Sequence, residues 1–135
     1  MATLYVARST ALTKWGSDVG LSKHIYKIGV TTEPVKPLVA QGWADETDWK
    51  LLDQEEVDDS LTEELVVERL AKREKLVHPQ LYPRIKGTNG IFKVLPAHVE
   101  NHIIVTRALS GGAERVEIKL KPADFAAFLI HNAKR

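Results

Sequence analysis

His24-Ile25-Tyr26-Lys27-Ile28-Gly29-Val30 is rich in β-branched and aromatic residues and reads as a β-strand. Upstream, Leu4-Tyr5-Val6-Ala7 is a short apolar run suited to a buried strand. Between them, Ser9 to Ser22 carry serine, threonine, glycine and aspartate and read as a connection. The two strands therefore pair most simply as an antiparallel hairpin. Downstream, Thr31 or Thr32 caps a short helix with Pro34 in its first turn, and Pro37 limits that helix.

Working outward, Trp43 and Trp49-Lys50-Leu51-Leu52 suggest a third strand. Ser60-x-x-Glu63 forms a capping box for a helix from about Leu61 to Val77. Asn89-Gly90 turns into a strand at Ile91–Val94, and Pro96 opens a helix through about Leu109. Arg115–Leu120 alternates charged and apolar residues as a strand with one wet face does. A last helix from near Pro122 buries Phe125, Phe128, Leu129 and Ala133. The order ββαβαβαβα predicts an α/β fold: one domain over 1–135, with a small mixed or antiparallel sheet flanked by helices.

Composition narrows the function classes. Nineteen basic against eighteen acidic residues leave a net charge of +1, so no long-range field draws the chain to nucleic acid or an anionic membrane. The absence of cysteine removes disulfides, thiol catalysis and cysteine-based zinc sites. No run reaches the roughly 18–20 apolar residues that span a bilayer, and the N-terminus lacks signal-peptide character. A soluble, cytoplasmic protein without a membrane role is expected.

Charge is nonetheless segregated. From Asp45 to Glu68 there are eleven carboxylates against Lys50 alone, and bases dominate after Glu68. A helix running from acidic to basic suits its macrodipole, which accounts for much of this pattern. The acidic stretch 45–59 is also a surface for a basic protein partner. His98 and His102 share a helix face, but the segment His98-Val99-Glu100-Asn101-His102 lacks the His-Glu-x-x-His order, and no third ligand is evident. Glycine-rich phosphate loops and the Gly-x-Ser-x-Gly elbow are missing.

Several short motifs occur in a telling order: Leu4-Tyr5-Val6-Ala7-Arg8-Ser9, then Ile25-Tyr26-Lys27-Ile28-Gly29-Val30-Thr31-Thr32-Glu33-Pro34-Val35. Gly42-Trp43-Ala44-Asp45-Glu46-Thr47-Asp48-Trp49-Lys50-Leu51, Val67-Glu68-Arg69-Leu70 and Phe92-Lys93-Val94 come after them. Together they resemble the GIY-YIG nuclease superfamily, in particular a bacterial and phage branch whose second motif is written Tyr-Lys-Ile-Gly followed by a threonine. The likeness covers a core of residues 2–95, leaving 96–135 as a C-terminal helix-strand-helix extension.

The resemblance implies a DNA endonuclease that hydrolyses phosphodiesters with one divalent ion, Mg²⁺ or Mn²⁺. Such chemistry rests on electrostatic relief at phosphate oxygens and a positioned water. By the resemblance, Tyr5 matches the first-strand tyrosine. Lys27 stands where the family's second tyrosine falls, with Tyr26 one position earlier and facing the other way. The family's helix arginine is replaced by Pro37, with Lys36 beside it as the cationic alternative. Glu68 fits the metal-binding glutamate, with Glu64 one turn earlier, and Arg8, Arg69, Lys72 and Arg73 would contact the DNA backbone. Losing the arginine opens an alternative: a catalytically inactive DNA- or protein-binding module.

Overall fold

In the computed structural model, which describes residues 2–21, 23–109 and 120–134, the run around Tyr5 extends over Ala2–Ser9 as β1. The run around Lys27 extends over Ile25–Thr31 as β2. They pair antiparallel, with Tyr5 opposite Gly29 and Ala7 opposite Lys27. The connection between them is a helix, α1 (Thr10–Asp18), where a loop is expected from composition. Ser9 caps it, its hydroxyl accepting from the Leu12 N–H at 3.2 Å. Asp48, 37 positions away, accepts from the Ala11 N–H at 2.8 Å. A cap from so far along the chain leaves no local signature.

Helix α2 (Val35–Gln41) has Pro34 at its N-cap, and neither threonine caps it. Thr31 instead accepts from the Glu33 N–H at 3.0 Å. Pro37 does not stop the helix. It is the third helical residue, the last whose N–H has no intrahelical acceptor, so its ring costs no hydrogen bond. The third strand, β3 (Trp49–Val57), runs on through the acidic stretch, while Trp43 lies outside it in an isolated bridge to Glu46. β3 is an edge strand, and Asp53, Gln54, Glu55 and Glu56 are exposed along it. Charges there discourage edge-to-edge pairing.

Helix α3 (Glu63–Ala71) starts later and ends earlier than Leu61–Val77. Thr62 caps it, accepting from the Leu65 N–H at 3.2 Å, whereas the Ser60 N–H donates to the Asp58 carboxylate. Past Ala71 the chain turns so that Lys75–Leu76 (β4) can pair with Ile91–Lys93 (β5). That pairing overrides the helical pattern. Helices α4 (Pro96–Leu109) and α5 (Pro122–Ala133) fall where expected. Of the strand expected at Arg115–Leu120, residues 115–119 lie outside the described residues, and Leu120 packs on the core without strand pairing.

The five described strands form one antiparallel sheet in the order β3-β1-β2-β5-β4, and with the five described α-helices the chain is a single small α/β domain. Strand alternation sorts the core into two layers. Leu4, Val6, Tyr26, Ile28 and Phe92 face α3 and α5. Tyr5, Ala7, Ile25 and Ile91 face α1, α2 and the turn around Ile85. Phe125, Phe128 and Leu129 of α5 pack into the first layer, so this helix is part of the core. Among the described residues no helix is long and apolar enough to cross a membrane.

Candidate active site

Residues directly opposite on antiparallel strands share a face, so Tyr5 projects over Gly29. A Cβ built on Gly29 would overlap the Tyr5 hydroxyl and come within 2.6 Å of Glu63 Oε1. The missing side chain is therefore what lets a phenol from β1 and a carboxylate from the first residue of α3 meet on β2. Lys27, two residues before Gly29, presents its side chain to the same face. It is 3% exposed, and its Nζ donates to Ile28 O at 3.0 Å and pairs with Glu63 Oε1 at 3.2 Å. Glu63 reaches the cleft from the end of β2 that β5 leaves unpaired, since β5 covers only Ile25–Lys27.

An aromatic wall completes one side. Trp43 stacks on Tyr5 with ring centroids 5.8 Å apart and planes 14° from parallel. Trp49 meets Trp43 edge-on at 5.1 Å and donates from Nε1 to Trp43 O at 3.0 Å. The Lys27 ammonium lies 5.5 Å from the Trp43 ring centroid and 5.8 Å from that of Tyr5, within cation–π range. The turn that presents Trp43 is unusual. Ala44 and Asp45 both have positive φ, 58° and 60°, and Gly42 at φ 75° has no room for a Cβ against Glu46 O. Such left-handed residues cost energy and persist where surrounding contacts enforce them. Here Arg84 supplies the contacts, donating to Ala44 O at 2.8 Å and pairing with Glu46. Thr31, Thr88 and Asn89 line the remainder of a cleft of about 340 Å³.

The electrostatics reflect burial. The Tyr5 phenol is pushed well above its ordinary value by desolvation and then by the Glu63 carboxylate, so it stays protonated and can donate a hydrogen bond. Desolvation lowers the Lys27 ammonium, and the charge and hydrogen bond of Glu63 oppose that shift. The cleft thus offers a phenolic donor, a dry cation and one carboxylate whose side chain is 40% exposed.

Of the residues singled out from sequence, Tyr5 and Lys27 line this cleft. Tyr26 does not. It points through the sheet onto Phe125, at 5.2 Å, and burial lifts its hydroxyl to about 12. Glu68 and Glu64 are exposed on α3, and Glu68 lies about 140° around the helix from Glu63. Lys36 is exposed on α2 and is not among the residues lining the cleft. Arg8 donates to Thr13 Oγ1 at 3.4 Å. Arg69 and Arg73 hold the C-terminal end of α5, donating to Ala133 O at 2.9 Å and Asn132 Oδ1 at 3.1 Å. Lys72 is exposed. His98 is engaged by Glu74 at 2.6 Å, and no group of three ligating side chains occurs among the described residues.

Glu63, Trp43 and Arg84 are what the sequence patterns missed as site residues. In the sequence Glu63 stood out only as the capping-box partner of Ser60. No family model matches the chain, and neither a curated protein nor a solved structure matches it.

Proposed function

We propose that this cleft processes phosphodiesters and that the protein is a divalent-metal-assisted DNA endonuclease of the GIY-YIG type, with Glu63 in place of Glu68 as the metal-holding carboxylate. The observation that carries the reading is the convergence of Tyr5, Lys27 and Glu63 around the bare backbone of Gly29. A half-exposed carboxylate at an open cleft suits Mg²⁺ or Mn²⁺, which keep most of their waters and take one or two protein carboxylates. When bound, the ion would neutralise charge at the phosphate oxygens. Lys27 can swing its ammonium from Glu63 to a phosphate oxygen, and Tyr5 can donate to the same group or to the attacking water. The stacked rings of Trp43 and Tyr5 offer a face for a base or sugar.

One feature favours a second reading, a catalytically silent module that binds DNA or protein. Among the described residues no arginine enters the cleft: Pro37 holds the position the resemblance assigns to it, and Lys36 points to solvent. A missing transition-state cation of this kind typically costs orders of magnitude in rate.

Plasmid nicking in Mg²⁺ or Mn²⁺ separates the two. The endonuclease reading expects nicking that falls about a hundredfold or more in Glu63→Gln and is retained in Glu68→Ala. Nicking that survives Glu63→Gln removes the proposed metal carboxylate. No nicking by the folded wild type, with salt-sensitive DNA binding retained, selects the silent module.

A further inference from the structure

Lys27 places an amine where an ammonium is poorly supported. The residue is 3% exposed, yet it lines the cleft beside Tyr5, Trp43 and Glu63. Among the described residues its one charged partner is Glu63, at 3.2 Å, and that side chain is 40% exposed. Its other acceptor there is the Ile28 carbonyl oxygen, at 3.0 Å. A partner that itself faces water offsets only part of the cost of burying a charge, and desolvation accordingly favours the neutral amine. A neutral amine is a nucleophile toward a carbonyl carbon, whereas an ammonium is not. Bare backbone keeps a further side chain off it: a Cβ built on Gly90 would come to 3.0 Å from Nζ.

The groups around the amine are those that imine chemistry uses. Glu63 can take the ammonium proton across 3.2 Å. The Tyr5 hydroxyl, held protonated, lies over the same glycine as the Glu63 carboxylate and can donate to a carbonyl oxygen. The Trp43 ring, centred 5.5 Å from Nζ, can stack in the gap left where a nucleotide lacks its base. We infer that Lys27 forms an imine with an aldehyde carried between phosphates, the open-chain sugar of an abasic nucleotide, and that the cleft breaks the strand there. For the phosphates this rests on the phosphodiester reading; for the bond broken it goes beyond it. Once Glu63 holds its proton, the amine adds to the aldehyde carbon and an amine proton moves to the oxygen. Glu63 then gives its proton to that hydroxyl, which leaves as water, and the C–N bond becomes an iminium. The Glu63 carboxylate next removes a proton from the carbon beside the iminium. The electron pair released expels the phosphate on the following carbon, breaking its C–O bond by elimination. Water hydrolyses the remaining iminium and regenerates Lys27. This elimination needs no metal ion.

The test mixes the full chain, in EDTA at pH 7, with a duplex carrying one abasic site and with cyanoborohydride, which reduces an imine to a permanent amine. A covalent adduct is expected whose peptide mass places it on Lys27, and it is lost in Lys27→Met. Without the reductant the strand breaks on the 3′ side of the abasic site, about a hundredfold more slowly in Glu63→Gln. The position of the wild-type adduct is the deciding readout, since it needs no variant to fold. No adduct, or one on the N-terminal amine or exposed lysines that survives Lys27→Met, overturns the assignment. Free 2-deoxyribose 5-phosphate carries the same aldehyde, and trapping it as well as or better than the duplex overturns strand cleavage. Metal-dependent nicking of intact plasmid needs no imine, so the phosphodiester reading stands or falls separately.

Discussion

Lys27 is the residue at which stability and chemistry pull apart. Its ammonium is 3% exposed, held by one carboxylate that is itself 40% exposed and can return to water. Replacing a buried cation by a side chain of similar volume is often neutral or stabilising. Lys27→Met should therefore leave the protein as stable as the wild type, or up to about 2 kcal/mol more stable, while abolishing phosphate-dependent activity or binding at the cleft. The pH dependence gives the same conclusion a sign. Burial lowers Lys27 below its ordinary 10.5, so just below that pH the unfolded chain holds a proton that the folded chain has released. Lys27 therefore contributes stability that rises with pH across that interval. The buried Tyr5 and Tyr26 phenols, raised above their ordinary value, contribute the opposite slope in both proteins, so the Lys27 contribution is the difference between wild type and Lys27→Met. Urea denaturation across the alkaline range checks both; a strongly destabilised methionine variant would show that the ion pair supports the fold. Tyr5 and Lys27 were named in advance through the resemblance alone, and strand alternation added that Tyr26 and Lys27 face opposite ways. Glu63 was not, because which turn of a helix meets a strand end is decided by packing, beyond the reach of spacing.

At the scale of elements, α1 shows how a distant residue makes a helix. Its sequence, TALTKWGSD, has weak intrinsic preference, yet its first turn is closed by Ser9 and by Asp48 from the segment before β3. Desolvation works against the Asp48 charge. Hydrogen bonds from Ser9 and from backbone N–H groups, Ala11 among them, outweigh it and hold the carboxyl below its ordinary 3.8. Asp48→Ala should cost about 1 kcal/mol, the usual worth of a cap. The electrostatic part of that difference is fully present above pH 3.8 and fades as pH falls through the lowered folded value. A stability difference unchanged down to strongly acid pH would mean that Asp48 acts by packing alone. The same contrast marks what the sequence patterns conveyed. Strands β1, β2 and β5 and helices α4 and α5 carry their own periodicity and were legible. Helix α1, the C-terminal end of α3 and strand β4 are set by partners far along the chain: Asp48 for the first, β5 for the other two.

For the whole molecule, the question is whether the segment resembling a nuclease core, residues 2–95, stands without residues 96–135. One layer of the sheet says it does not. Tyr26 stacks on Phe125, and Leu4, Val6 and Ile28 share their cluster with Phe128, Leu129 and Ala133, all of α5. Burying a leucine or phenylalanine side chain contributes roughly 1.5–3 kcal/mol, so the loss of α5 removes an amount comparable to the total stability of a small domain, about 5–15 kcal/mol. Helix α5 also reaches the cleft indirectly. Arg69 in the last turn of α3 and Arg73 just past its end are tied to α5, and α3 delivers Glu63 from its other end. A fragment ending at residue 95 should therefore lack cooperative unfolding and show the poorly dispersed NMR spectrum of an unfolded chain. Adding back a peptide spanning 120–135 should restore dispersion only by rebuilding the layer over Tyr26. If the fragment instead unfolds cooperatively alone, with Tyr5 and Lys27 in their native environments, the C-terminal helices are dispensable to the cleft and the layer they cover is not its foundation.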